Sequence, residues 1–300
     1  MMRRLSYLLI LSLLASSASA DATCVARKGD PELRDCSGII NVGTVRRYLL
    51  YVPESARVAQ QPVPLVLDFH GMTSNANRYM GISCWRSFAE REGIVVAYPQ
   101  GTGPFNTFDA GECCGFPPPG GRDDVQFARD VVSDVVARLA HERLTVDTTR
   151  VFATGHSNGG KMAHHLACVA PDFLAGVSAV AQAYSLGADG TCPDHERIPL
   201  IEFRGDADPI VRYNEQSVDH WAVDMHCERH GAAWSVAPFE PERSEAPARG
   251  APAPACKEFQ GCDAGLAFCK VPADHHTYAN AAHVDLCQTA WDFWQRSVVP

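Results

Sequence analysis

The stretch RVFATGHSNGGKMAHHLAC, residues 150–168, constrains the fold more than any other part of the chain. Arg150 to Thr154 has the apolar character of a buried strand. From Asn158 onward, Met162, Leu166 and Ala167 recur at helical spacing. Between them stands Gly-His-Ser-Asn-Gly-Gly, so a strand becomes a helix within a few residues and carries a serine at the corner. Flanking glycines allow close backbone packing where any larger residue would clash.

Other segments continue the alternation. VRRYLLYV (45–52), PLVLDF (64–69), IVVAYP (94–99), AGVSAVA (175–181) and IPLIEF (198–203) read as strands, most of them apolar throughout. A helical stretch is expected around residues 77–92. A second opens at Asp123 and Asp124, with Phe127, Val131, Val135 and Leu139 on one face. Residues 100–122 are Gly- and Pro-rich and read as a long loop, and residues 240–255 as an exposed excursion. Strand-like LAFCKV and a last helix, HVDLCQTAWDFWQRSV, follow. Apolar strands alternating with amphipathic helices imply an α/β fold, a mostly parallel sheet with helices on both faces. No internal repeat is visible, and residues 21–300 are expected to form a single domain.

Residues 1–20 have the makings of an export signal: Arg3 and Arg4, a short apolar run over 8–14, and Ala18-Ser19-Ala20 as a cleavage site. No stretch is long enough for a transmembrane helix, so no membrane association is expected after its removal. The twelve cysteines all lie beyond it, and in an exported chain their default state is disulfide-bonded. Zinc spacing of the C-x-x-C kind is absent. His164 and His165, adjacent on a helix, point about 100° apart and are ill placed to share an ion, so no metal is expected. A formal charge of −9 excludes a phosphate-neutralising surface and hence a nucleic-acid partner.

Gly155-His156-Ser157-Asn158-Gly159 fits G-x-S-x-G, which between strand and helix is the nucleophile elbow of an α/β-hydrolase. A serine so placed needs a base, and the base needs an orienting acid; in this fold they follow in the order serine, acid, histidine. Asp206 and Asp208 are the candidate acids, just after the strand IPLIEF. His275 and His276, between the last strand and last helix, are the candidate bases. For an oxyanion, the backbone N–H groups of Asn158 and of Met72, in Phe69-His70-Gly71-Met72, are the expected donors. The loop Gly101 to Gly121 should lie beside the elbow, and its Phe105, Phe108 and Phe116, with Tyr278, are expected to bind substrate.

These motifs together resemble the secreted esterase family of polyhydroxybutyrate depolymerases and feruloyl or acetylxylan esterases. The matching stretches, in order, are PLVLDFHG, GIVVAYPQG, DAGECCG, DDVQFARDVV, VFATGHSNGGKMAHHLAC, PLIEFRGDADPIVRY and DHHTYAN, spanning roughly residue 40 to the C-terminus. The family's His-Gly-x-x-Asp segment falls on Arg204 to Asp208 and selects Asp208. Its Gly-His-x-Trp-Pro-Gly segment falls on His275 to Asn280 and selects His276. The resemblance also implies bridges between Cys168 and Cys192 and between Cys227 and Cys262. The chain departs from the pattern at Arg204, at Met72 and at Tyr278-Ala279-Asn280. What the resemblance implies is a secreted, monomeric, cofactor-free serine esterase with Ser157, His276 and Asp208 as its triad. Its expected substrates are aryl or acetyl esters of polysaccharide, or polyhydroxyalkanoates. A peptidase on the same fold and a non-catalytic binding protein are the rival readings.

Overall fold

The computed structural model describes residues 23–111, 122–182, 192–193, 196–211, 216–242, 254–276 and 284–298. The proposed signal, Phe116, Tyr278 and the Cys113-Cys114 pair lie outside these residues.

In chain order the strands are β1 (Thr23–Arg27), β2 (Asp30–Asn41), β3 (Thr44–Tyr51), β4 (Val63–Phe69), β5 (Val95–Pro99), β6 (Val146–His156), β7 (Gly176–Val180), β8 (Leu200–Gly205), β9 (Arg229–His230), β10 (Ala233–Trp234), β11 (Val236–Phe239), β12 (Ala255–Phe259) and β13 (Leu266–Val271). Among the described residues, β9 and β10 form a small ribbon. The others join one sheet in the order β1-β2-β3-β5-β4-β6-β7-β8-β13-β12-β11. The middle of the sheet, β5-β4-β6-β7-β8-β13, is parallel. Antiparallel strands extend it on both sides. This is the mixed, mostly parallel sheet of the α/β-hydrolase fold.

The two faces of each central strand feed two cores. On β4, Leu65, Leu67 and Phe69 join one and Val66 the other; on β6, Val151 and Ala153 oppose Phe152. Over the first face lie the helices Asp124–His141, Asn158–Val169 and Gln216–Asp224, which bury Phe127, Met162, Leu166 and Trp221. Over the second lie Trp85–Glu92 and Leu286–Ser297. There Trp294 stacks on Phe152 at 4.5 Å and on Trp85 at 5.5 Å between ring centroids. The helical stretch near residues 77–92 is two helices, Ala76–Met80 and Trp85–Glu92, with Gly81 capping the first. No helix of the described residues is long and apolar enough to cross a membrane.

Among the described residues five disulfides are present: Cys24–Cys36, Cys84–Cys287, Cys168–Cys192, Cys227–Cys262 and Cys256–Cys269. The two implied by the resemblance are among them. No cysteine of the described residues is free.

Candidate active site

Four strand ends meet at one edge of the parallel sheet. β4 runs into His70-Gly71-Met72, β6 into Ser157, β8 into Asp208 and β13 into His275. The register aligns Phe69 with Gly155 and Gly205 with Val271, so all four exits share one rim.

The corner at Ser157 is strained as well as tight. Its φ is 54° and ψ −120°, a conformation a side-chain-bearing residue seldom adopts. The Ser157 N–H donates to the Val180 carbonyl at 2.9 Å, which ties the corner to the neighbouring strand. The space around it excludes even a methyl group. A Cβ on Gly159 would stand 2.0 Å from the Phe69 carbonyl oxygen, and one on Gly155 would stand 2.5 Å from Gly159. The helix Asn158–Val169 can therefore press its first turn against β4, and its N-terminus faces the serine.

Asp208, His275 and Ser157 form a hydrogen-bonded line. His275 Nδ1 lies 2.8 Å from Asp208 Oδ2, and His275 Nε2 lies 3.0 Å from Ser157 Oγ. The other Asp208 oxygen accepts the N–H groups of Ile210 and Val211 at 2.8 and 2.9 Å. With Asp208 accepting at every contact, the imidazole proton sits on Nδ1, and Nε2 is left to receive the serine hydroxyl.

Here the structure corrects the sequence expectation by one residue. His276, not His275, was the expected base, yet its side chain is 71% exposed and reaches neither Ser157 nor Asp208. The Asp274 carboxylate accepts the His276 N–H at 2.7 Å and turns that residue outward, while His275 before it points in. Asp206 is exposed and takes no part in the line.

Of the proposed substrate contacts, Phe108 is wholly buried, so it is corrected from the pocket to the core. It packs edge-on against Phe69 at 5.1 Å. Phe105 is half exposed, and its carbonyl accepts the Thr73 N–H at 2.7 Å, but it does not line the cavity in front of Ser157. Phe116 and Tyr278 fall outside the described residues.

That cavity has a volume of about 310 Å³ and is walled by Met72, Tyr79, Ile82 and Ile210, with Arg78 and His276 at its lining. Met72, one expected oxyanion donor, stands on it beside Gly71. Asn158, the other, also spends its side chain. Its amide accepts the Phe108 N–H at 2.8 Å and donates to the Phe108 carbonyl at 3.0 Å, which locks the loop after β5 to the elbow. Sequence reasoning credited Asn158 with its backbone alone.

Two histidines it passed over also hold the site. His70 is pushed down to about 4 by burial and is neutral. It accepts the Gly101 N–H on Nε2 at 3.0 Å and bonds the Gly71 carbonyl through Nδ1 at 2.8 Å. His156, also pushed down to about 4, chiefly by burial, bonds the His275 carbonyl through Nε2 at 2.5 Å. Its position between Gly155 and Ser157, within the corner itself, was the available signal.

A family model described as "Esterase PHB depolymerase" matches residues 46–189. Feruloyl esterase B of Piromyces equi is 25% identical over 270 residues, covering 85% of this chain and 46% of that protein. Putative esterase NocK of Nocardia uniformis subsp. tsuyamanensis is 31% identical over 191 residues, covering 64% of this chain and 50% of its own. The chain spans about half the length of these curated relatives. Among solved structures, an acetyl xylan esterase from Aspergillus awamori superposes with a TM-score of 0.54 at 15% identity, covering 85% of this chain and 94% of that one; at that identity the likeness speaks for the fold.

Proposed function

The chain belongs to the esterase family of polyhydroxybutyrate depolymerases and feruloyl and acetylxylan esterases, and from that premise we propose that it is a secreted serine carboxylic-ester hydrolase. The observation that carries this reading is the line Asp208–His275–Ser157 at 2.8 and 3.0 Å, on the rim of an apolar cavity. Ser157 Oγ attacks the ester carbonyl while His275 Nε2 takes its proton. Asp208 holds the ring by Nδ1 and stabilises the imidazolium. The N–H groups of Met72 and Asn158 receive the oxyanion. His275 then delivers the proton to the departing alcohol, and water repeats the sequence on the acyl-enzyme.

The cavity walls favour an acyl group larger than acetyl, such as an aryl acid on polysaccharide or a hydroxyalkanoate unit. The five disulfides fit an oxidising compartment and support export.

A fluorophosphonate probe is expected to label the protein once, at Ser157, and Ser157→Ala to abolish the label. His275→Ala and Asp208→Ala are each expected to cost several orders of magnitude in kcat, and His276→Ala less than about tenfold. An inactive His276→Ala beside an active His275→Ala would restore His276 as the base. Methyl ferulate, acetylated xylan, hydroxybutyrate oligomers and p-nitrophenyl acetate, compared by kcat/KM, separate the substrate classes.

A further inference from the structure

Among the described residues, the cavity in front of Ser157 is lined by one full-time cation and no carboxylate. Its lining, among the described residues, is Met72, Tyr79, Ile82 and Ile210 on the apolar side, small residues of the Gly71–Ser74 turn, three histidines, and Arg78. The carboxylate nearest in function, Asp208, is buried behind His275 with both oxygens taken. Arg78 itself is exposed; the Asn75 side chain accepts its backbone N–H at 2.9 Å, and its carbonyl accepts the Gly81 N–H at 3.2 Å. No ion pair or side-chain hydrogen bond of its guanidinium occurs among the described residues. Arg27, Arg34, Arg86, Arg129 and Arg197 all meet carboxylates of the chain, whereas Arg78 faces the cavity without one among the described residues.

We propose that Arg78 is a subsite for a carboxylate carried by the substrate, so that the preferred ester is an acidic one. This deepens the ester-hydrolase reading and rests on it. A guanidinium grips a carboxylate with two parallel N–H bonds, and the apolar walls reduce the screening that weakens such a pair on open surface. The preference has to be local. With a formal charge of −9, the protein as a whole repels anions, so its long-range field cannot supply it.

The test uses matched pairs of esters that differ by one carboxylate. On the acyl side, mono-p-nitrophenyl glutarate is compared with p-nitrophenyl butyrate. On the alcohol side, 4-acetoxybenzoate is compared with phenyl acetate. The readout is the ratio of kcat/KM, acidic over neutral, in the wild type, Arg78→Gln, Arg78→Lys and Arg78→Glu. In the pair whose carboxylate reaches Arg78, the ratio is expected to fall about five- to tenfold in Arg78→Gln, mostly through KM, and further in Arg78→Glu. Arg78→Lys should retain part of it. Arg143→Gln removes the same charge beyond the far end of β6 and should leave the ratio unchanged. A ratio indifferent to Arg78 in both pairs, or one that moves equally in Arg143→Gln, overturns the subsite while leaving the ester hydrolase intact. Failure of the wild type on all four esters overturns the hydrolase reading and the subsite with it.

Discussion

Asp68 is a buried acid that makes no contact with the proposed triad, and it carries a consequence for stability. It lies on β4 without solvent exposure and accepts a hydrogen bond from Ser83 Oγ at 2.5 Å. Burial pushes its carboxyl up to about 8. In the unfolded chain the same group ionises near 4, so between those values the unfolded state has released a proton that the folded state keeps. Stability from this group is therefore full below pH ~4 and declines as pH rises toward ~8, with a slope of ~1.4 kcal/mol per pH unit. Asp68→Asn, which mimics the neutral acid, is expected to remove that slope and to gain on the wild type from pH 5 to 8. Urea midpoints measured across that range check it, and parallel pH profiles for the two proteins would contradict it. At this scale chain order and flanking motifs pointed to Ser157 and Asp208, which the structure sets on one hydrogen-bonded line with His275. It misled at His275 and His276. The Trp-Pro-Gly that anchors the family's register is Tyr278-Ala279-Asn280 here, and the choice depends on one hydrogen bond from the His276 N–H to Asp274 that no spacing rule foretells.

The corner between β6 and its helix is the element on which the site depends, and its tolerance can be stated in advance. Gly159→Ala must displace the helix from the Phe69 carbonyl, and overpacking of this kind costs about 1–3 kcal/mol. A lower melting temperature and a loss of probe labelling at Ser157 are expected together. Gly81→Ala is the comparison, because its Cβ would meet only the Arg78 carbonyl at an ordinary 3.5 Å and its φ is −78°. It should melt close to the wild type; a Gly159→Ala protein that did the same would show the contact to be slack. The central strands were legible because burial on both faces makes them apolar throughout. β1 and β2 were not, because each has a face in water. TCVAR and DPELRDCSGIIN scatter apolar residues among charged ones, and pairing of β1 to β2 and of β2 to β3 supplies what their composition lacks.

The molecule as a whole is closed by covalent bonds of very different reach. Cys24–Cys36 spans 12 residues and Cys84–Cys287 spans 203. If a disulfide acts mainly by restricting the unfolded chain, the gap between those loop lengths makes loss of the longer bridge costlier by about 2 kcal/mol. Cys84→Ala/Cys287→Ala and Cys24→Ala/Cys36→Ala, compared by denaturant unfolding, measure this directly. Equal losses would mean that native contacts, not chain entropy, set the value of these bridges. The even cysteine count made a disulfide framework legible, but the partner of Cys84 was not. Their pairing follows from two helices lying side by side on one face of the sheet, which only the assembled fold reveals.

The same bond gives the chain a different topology from the one its sequence suggests. From Cys84 to Cys287 the polypeptide is a closed circle, and Ser157, Asp208 and His275 all lie on it. A single protease cut within that circle releases nothing, because the bridge still joins the two pieces. Residues 240–255 lie on the circle between Asp208 and His275, and also inside the loop closed by Cys227–Cys262. A cut there would give two new ends while leaving Ser157, Asp208 and His275 on one covalent molecule, held together by both bridges. Such a nick breaks the backbone without fragmenting the molecule.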